Sequence, residues 1–337
     1  MLRQEILNQF GFDPGKENTR EAALTLCLEN SFDPVREYID GLKWDGTPRV
    51  ALWLTTYLGA EASNLNSAIG TNMLVAAVRR VRKPGTKFDT IVVLEGEQGT
   101  GKSTAVTILA GRDYFGDQDI LALDAKAQME ALEGVWLYEI PELAGMRMAD
   151  VEKIKAFASR WEDRARPAYG RFRENRPRRC IFIGTTNAEK YLRDQTGNRR
   201  FWPVATRAID LETLERDRDQ LWAEAATLEA RGESIVLPRA LWPAAFEAQE
   251  KRLEGDPWVD VLADVSGSLI NGAYRVSTKV VWEKLGILAE GQYPTARTRL
   301  NDAMRRLGWT SKVFKMNGHS VRGFERAPAQ GELPLGR

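Results

Sequence analysis

Residues 96–103 read Gly96-Glu97-Gln98-Gly99-Thr100-Gly101-Lys102-Ser103, a match to G-x-x-x-x-G-K-[ST]. Glycines at these spacings let successive backbone N–H groups curl around phosphate oxygens, and a following helix N-terminus adds partial positive charge. The pattern makes Gly96 to Thr104 a nucleotide-binding segment, with Lys102 reaching the β- and γ-phosphates of ATP and Ser103 giving an oxygen to Mg²⁺. The apolar run Val135-Trp136-Leu137-Tyr138 ends at Glu139, and Glu142 follows three residues later. Glu139 is placed to hold the metal through water, and either glutamate to polarise an attacking water. Asn187 closes Ile183-Gly184-Thr185-Thr186-Asn187, where a polar strand tip can meet the γ-phosphate or the lytic water. Capping or structural pairing is the competing role for Glu142 and Asn187. Arg199 and Arg200 are adjacent guanidiniums of the kind that stabilise charge on a transferring phosphoryl group, including from a neighbouring subunit. The sequence does not say which of the two acts and which pairs structurally.

These residues need a frame. Thr90–Leu94, Val135–Tyr138, Cys180–Gly184 and Arg200–Val204 are apolar runs too short for helices, separated by helical segments such as Lys102–Leu109. That order predicts an α/β fold with a mostly parallel sheet. Residues 1–83 read as a helical region in which Asp33-Pro34 starts one helix by an N-cap and a proline at the first helical position. Residues 84–207 form the expected ATPase core, and 208–255 an acidic helical segment punctuated by Pro238 and Pro243. Within 256–326, helices are expected at Trp258–Asp264, Lys279–Leu285 and Ala296–Leu307, the last capped by Thr295. Tyr274–Val276 reads as short and extended. Extended segments at Trp309–Lys315 and Val321–Arg326 are joined by the hairpin dipeptide Asn317-Gly318. Three helices and a hairpin in that order predict a winged helix-turn-helix. Residues 327–337 read as a disordered tail. Trp136, Trp202, Trp222 and Trp242 are expected in the core or an interface.

Composition excludes other chemistries. The 337 residues include one histidine, His319, and two cysteines, Cys27 and Cys180. These cannot build a disulfide framework or a Cys/His zinc site, and a histidine-based triad has one base to draw on, near the C-terminus. Carboxylates, lysine, arginine, hydroxyls and backbone must do the work. No apolar run reaches a membrane span, and the first twenty residues are not a signal peptide, so a cytoplasmic protein is expected. Lys and Arg number 48 against 47 Asp and Glu, a net charge of +1, but the charges are segregated. Residues 160–179 hold eight arginines and three acids, 208–264 hold six bases and fourteen acids, and 297–326 hold eight bases and two acids. Segregation of this kind marks local anion-binding surfaces.

Taken in order, these segments resemble the virulence-associated protein E family of P-loop ATPases. The resemblance is carried by Asp33-Pro34-Val35-Arg36, Trp44-Asp45-Gly46-Thr47-Pro48-Arg49, Pro84-Gly85-Thr86-Lys87-Phe88-Asp89, the phosphate loop, Glu139 to Glu142, Pro167-Ala168-Tyr169-Gly170-Arg171, Gly184 to Asn187 and Gly197 to Pro203. It covers roughly residues 31–206. It implies kinship with superfamily 3 helicases, a P-loop AAA+-type three-layer core, and ATP hydrolysis at subunit boundaries of a homo-oligomeric ring, expected to be a hexamer, replicating phage or mobile-element DNA. In such helicases the interval between the acidic strand and the next holds a hairpin that enters the ring channel. By position Arg164, Arg166, Tyr169, Arg171 and Arg173 would grip single-stranded DNA there, arginine neutralising phosphate and tyrosine stacking; bridging to acids of the next subunit is the competing role. Lys153 and Lys155 are weaker candidates. Many relatives carry a primase domain for which residues 1–30 leave no room, so a primase or replisome partner is expected. On the C-terminal segment, Arg297, Arg299, Arg305 and Arg306 are candidates for a DNA groove and Lys312 and Lys315 for the backbone. An origin-binding initiator or loader that unwinds little, and a small-molecule phosphotransferase, remain as alternatives.

Overall fold

Apolar runs without polar alternation become parallel strands when both faces of the sheet are covered. In the computed structural model, which describes residues 2–143, 146, 148–166, 173–192, 198–253, 255–316 and 319–328, this is what the runs do. Strands β1 (Ile91–Glu95), β2 (Phe115–Gly116), β3 (Leu137–Ile140), β6 (Ile181–Thr186) and β7 (Phe201–Ala205) form a five-stranded sheet in the order β2-β3-β6-β1-β7, parallel throughout. Between β3 and β6 the strands β4 (Glu162–Ala165) and β5 (Glu174–Pro177) make a separate antiparallel hairpin.

Alternate residues of each strand feed two cores. Val92, Leu94, Leu137, Ile181, Ile183, Trp202 and Val204 face one apolar cluster; Ile91, Val93, Tyr138, Ile140, Phe182 and Phe201 face the other. The first cluster is completed by α3 (Pro34–Gly41), α4 (Trp53–Leu58), α5 (Asn64–Arg82), α6 (Lys102–Ala110), α9 (Leu211–Ala230) and Ala245 of α10 (Trp242–Glu250). The second takes Ala131 of α7 (Ala125–Ala131) at its edge and Val151, Ile154 and Phe157 of α8 (Met148–Ala158). The result is three layers, helix on sheet on helix. Upstream, α1 (Leu2–Phe10) and α2 (Lys16–Glu29) bury no residue.

Local expectations meet the structure unevenly. Asp33 does cap α3, accepting from the Arg36 N–H at 3.2 Å, with Pro34 in the first turn. Trp136 and Trp222 stack at 4.1 Å between ring centres, and their indole N–H groups donate to the carbonyls of Ala77 and Leu109. Trp202 is buried too, but Trp242 is 53% exposed. Pro243 does not interrupt a helix: it sits in the first turn of α10, where no N–H is needed. Glu139 lies inside β3 rather than at its end, because Ile140 still pairs with Gly184. Among the described residues no helix is long and apolar enough to cross a membrane.

Residues 254–337 form a second compact unit, separate from 1–253. Its helices are α11 (Pro257–Leu262), α12 (Thr278–Lys284) and α13 (Pro294–Arg306). Its antiparallel sheet has the order β10-β11-β9-β8, from β8 (Ser268–Ile270), β9 (Ala273–Ser277), β10 (Thr310–Met316) and β11 (His319–Arg326). Leu262, Val276, Trp282, Leu300, Met304, Trp309 and Phe324 are its core. One expectation is met and extended here, and one is corrected. The extended segment at 274–276 belongs to a hairpin, turned by Asn271 and Gly272, which both have positive φ (51° and 77°) as a type I′ turn requires. Thr295 lies within α13, which starts at Pro294 after an N-cap at Tyr293. In β10–β11, Met316 pairs with His319, leaving two residues for the connection; Asn317 and Gly318 themselves lie outside the described residues.

Candidate active site

The sheet order brings the candidate residues to one end of the sheet. From β1 the chain crosses to the far edge, returns through β3 and β6, and then passes to β7 on the other side of β1. Ligands of open parallel sheets bind beyond the carboxyl ends of strands where crossovers diverge in this way. The 96–101 loop leaves β1 at that point. Gly99 and Gly101 have φ of +80° and +96°, a conformation that glycine adopts without penalty. A Cβ at Gly99 would meet open space, while one at Gly101 would press on Leu211 at 3.2 Å. No side chain caps the N-terminus of α6, so its first N–H groups point outward into the mouth of the loop.

Glu97, Gln98 and Gly99 are exposed, as are Ser103 and Thr104. Lys102 is buried and donates to the carbonyls of Gly96 (2.8 Å) and Glu97 (2.7 Å), and the Thr100 hydroxyl donates to Glu97 O at 2.9 Å. Burial pulls the Lys102 ammonium below its ordinary pKa, and the Glu139 carboxylate opposes that shift. Glu139 is only 2% exposed. One of its oxygens, Oε1, accepts from Ser103 Oγ at 2.7 Å and from Thr185 Oγ1 at 2.5 Å. It makes no ion pair among the described residues. A buried carboxylate held by two hydroxyls, near the Lys102 ammonium but not paired with it, suits a divalent ion. Mg²⁺ takes one or two carboxylate or hydroxyl oxygens and completes its shell with phosphate and water.

Glu142 is exposed and has φ +52°. A non-glycine residue held there costs free energy, and such strain concentrates at functional sites. It lines, with Glu139, Asp119 and Asp150, a cleft of about 630 Å³. Asn187 is exposed directly after β6. Arg200 is committed within the chain: its Nε donates to Ser159 Oγ at 3.0 Å and pairs with Asp89 at 3.3 Å. Arg199 is exposed and pairs with no acid among the described residues.

The interval between β3 and β6 holds the antiparallel pair β4–β5. Arg164 is exposed on it, and Arg166 and Arg173 are exposed beyond its strands; Tyr169 and Arg171 lie outside the described residues. Its base is fixed by Arg178, which makes a two-pronged ion pair with Asp163 (2.6 and 2.8 Å), donates to Phe157 O, and lies 4.1 Å over the Phe157 ring. Lys155 is not available to a ligand. It is buried on α8, paired with Glu152 at 2.8 Å and 6.0 Å from the Phe201 ring centre.

Thr185 and a triad of Glu95, Tyr191 and Arg252 were not singled out by sequence. Thr185 sits two residues before Asn187, inside β6. Arg252 is 157 residues from Glu95, and nothing local in the sequence joins them. The Glu95 carboxylate accepts from Arg252 Nε and Nη2 (2.8 and 2.7 Å) and from the Tyr191 hydroxyl (2.8 Å).

The virulence-associated protein E-like domain matches residues 39–254. The chain belongs to that family. No curated protein matches it significantly. Among solved structures, the apo C-terminal region of NrS-1 (305–718) superposes with a TM-score of 0.52 at 13% identity, covering 85% of this chain and 77% of that one. An A-form apo structure of the same region gives 0.50 at 14% identity with the same 85% and 77% coverage. At such identities the likeness is one of fold. A structure described as "SCCmec type IV Cch - active helicase" gives 0.40 at 12% identity over 77% of this chain and 66% of that one, too distant to argue from.

Proposed function

We propose that this family member is an ATP-driven, ring-forming DNA helicase or translocase that replicates a phage or mobile element. The observation that carries the reading is the Ser103–Glu139 hydrogen bond. It joins the hydroxyl at the head of α6 to a buried carboxylate on β3, two strands from β1. In this reading the N–H groups of residues 96–104 and Lys102 bind the phosphates of ATP, and Ser103 and Glu139 hold Mg²⁺. The bound ion supplies charge neutralisation on the phosphate oxygens. Asn187 orients the water that attacks the γ-phosphorus, and Glu139 or Glu142 draws its proton as the bond to the ADP oxygen breaks. The β4–β5 hairpin, with Arg164, Arg166 and Arg173 and the undescribed Tyr169 and Arg171, would follow single-stranded DNA in a central channel.

The two arginines separate on this reading. Arg200 is the structural one, and Arg199 is the group offered to a neighbour's nucleotide. Arg199→Ala is expected to lower turnover at least about a hundredfold with an unchanged melting temperature. Mixed with Lys102→Ala subunits, it should regain part of the activity, because one interface then unites an intact Lys102 with an intact Arg199. Mixtures as inactive as their components would sink action in trans.

The test of the whole reading is ATP hydrolysis with and without single-stranded DNA, alongside displacement from a forked duplex. DNA-stimulated hydrolysis with displacement is expected. Hydrolysis without displacement would replace the reading with an initiator or loader. Hydrolysis indifferent to DNA would favour a phosphotransferase. Native mass with ATP and DNA should show the ring, a hexamer by the family resemblance.

A further inference from the structure

The second unit sorts its positive charges. Arg299 is tied to Asp256 by two donors (3.0 and 2.7 Å) and stacks 4.3 Å over Trp258; Arg305 pairs with Asp302, and Arg275 and Lys312 both pair with Glu325. Arg299 and Arg275 are thereby tied into the fold, whereas Arg305 and Lys312 make exposed surface pairs. Arg297, Lys315 and Arg322 make no such pair among the described residues, and all are exposed.

These three fall on one side of the unit. Arg297 and Asn301 lie one turn apart on the exposed face of α13. Arg322 stands directly across the hairpin from Val313, and Lys315 across from Ser320, one pair further out on the same face. Between α13 and the hairpin runs a cleft of about 730 Å³ whose lining includes Gln292, Arg297, Asn301, Ser311, Lys312 and Arg322, with no acid in it. Val313, at its rim, is 58% exposed.

We propose that this cleft and the adjoining face of α13 are a binding site for double-stranded DNA. An α-helix of ordinary diameter fits the major groove, about 12 Å wide. A guanidinium and a carboxamide one turn apart on that helix offer the donors and acceptors that read guanine and adenine edges. Arg322 and Lys315 on the hairpin then meet the flanking phosphates, and Val313 gives an apolar contact to the groove wall. Single strands are a poorer fit. Their recognition relies on exposed aromatic faces, and the aromatic ring in this lining, Trp282, is buried. Every residue of the site belongs to the second unit, and the proposed binding needs no ATP hydrolysis.

The test uses the full-length protein without nucleotide and a blunt duplex of about two helical turns, roughly 21 base pairs, followed by fluorescence anisotropy across a salt series. Arg322→Ala/Lys315→Ala should weaken binding to every duplex sequence and reduce the slope of log K against log salt by about 2. Arg297→Ala/Asn301→Ala should flatten sequence preference, losing about tenfold or more on the best-bound sequence from a randomised pool. Circular dichroism and melting should match wild type, since all four side chains are exposed. Unchanged duplex affinity and slope in the folded hairpin variant would overturn the proposal. So would losses confined to single strands, or a pool that yields the same preference for wild type and Arg297→Ala/Asn301→Ala. Failure of the helicase reading would leave these outcomes untouched, because Lys102→Ala protein should bind duplex as wild type does.

Discussion

Glu139→Gln is expected to lower ATP turnover by about three orders of magnitude while leaving the fold intact. The substitution is nearly isosteric. The amide oxygen can still accept from Ser103 and Thr185, so the contacts that seat the side chain survive. What disappears is the charge at a site 2% exposed, where an ionic partner is screened little by solvent. A metal that stabilises transition-state charge contributes several kcal/mol, and about 1.4 kcal/mol is a factor of ten in rate. A loss near 10³ follows, with the melting temperature moving by no more than about 2–4 °C, the equivalent of roughly 1 kcal/mol in a domain of this size. Phosphate release at saturating Mg²⁺ and ATP reads the first quantity, and a thermal scan the second. Wild-type turnover in the folded variant would remove Glu139 from the chemistry, and with it the Ser103–Glu139 bond as the basis of the proposed function. Lys102→Ala should abolish turnover by another route. Its ammonium donates within the loop itself, to the carbonyls of Gly96 and Glu97, so a thermal scan should show the sheet intact while turnover is lost.

What the sequence made legible follows from how each feature is encoded. The loop, α6 and the four main strands announce themselves because strands buried on both faces cannot alternate, and because the glycine spacing is demanded by backbone geometry. The N-cap at Asp33 is equally local. Strand order is not local. That β6 lies between β1 and β3 is set by crossovers and by which faces the helices cover. For the same reason Thr185 could not be read as a partner of Glu139, although both runs were identified. The ties that distinguish Arg200 from Arg199 are to Asp89 and Ser159, 111 and 41 residues away in sequence. Asn271-Gly272 is a different case. It carries the same turn signal as Asn317-Gly318, and the short strands beside it concealed the hairpin. The positive blocks were legible as charge, but their division into fold-serving and free guanidiniums depends on acids such as Asp256 and Glu325 being brought alongside.

Arg252→Ala is expected to be strongly destabilising for a partly buried arginine, costing about 3 kcal/mol. Glu95 is the last residue of β1, and Gly96 of the loop follows it. Its side chain is 10% exposed, and Arg252 at 19% is its ionic partner. The pair is backed by the Tyr191 hydroxyl, whose pKa is pushed well above its ordinary value by burial and then by the Glu95 charge, so it stays a donor. Breaking a buried pair by removing one partner costs about 3–5 kcal/mol, because the other charge is left uncompensated. Partial exposure places this case at the low end. In a domain of this size that is a melting temperature lower by roughly 6–12 °C. Two explanations compete, the stranded charge and the lost packing of the arginine stem. Glu95→Gln separates them. Placed on Arg252→Ala, it should recover most of the loss if the carboxylate is the cause, and none if packing is. The two sites must then couple in a double-mutant cycle. Arg252→Lys should recover only part, since an ammonium cannot reproduce the two-pronged contact. The consequence reaches the loop, because the main chain of Glu95 is fixed in the same place: its carbonyl accepts from both the N–H and the hydroxyl of Thr206 at 2.7 Å, and Gly96 N–H donates to Thr186 O. Loosening the side chain frees the entry to the phosphate loop, so weaker nucleotide binding should accompany the lower melting temperature and return with it in the Glu95→Gln double variant. Nucleotide affinity unchanged in a destabilised Arg252→Ala protein would show that the strut holds the fold and not the loop.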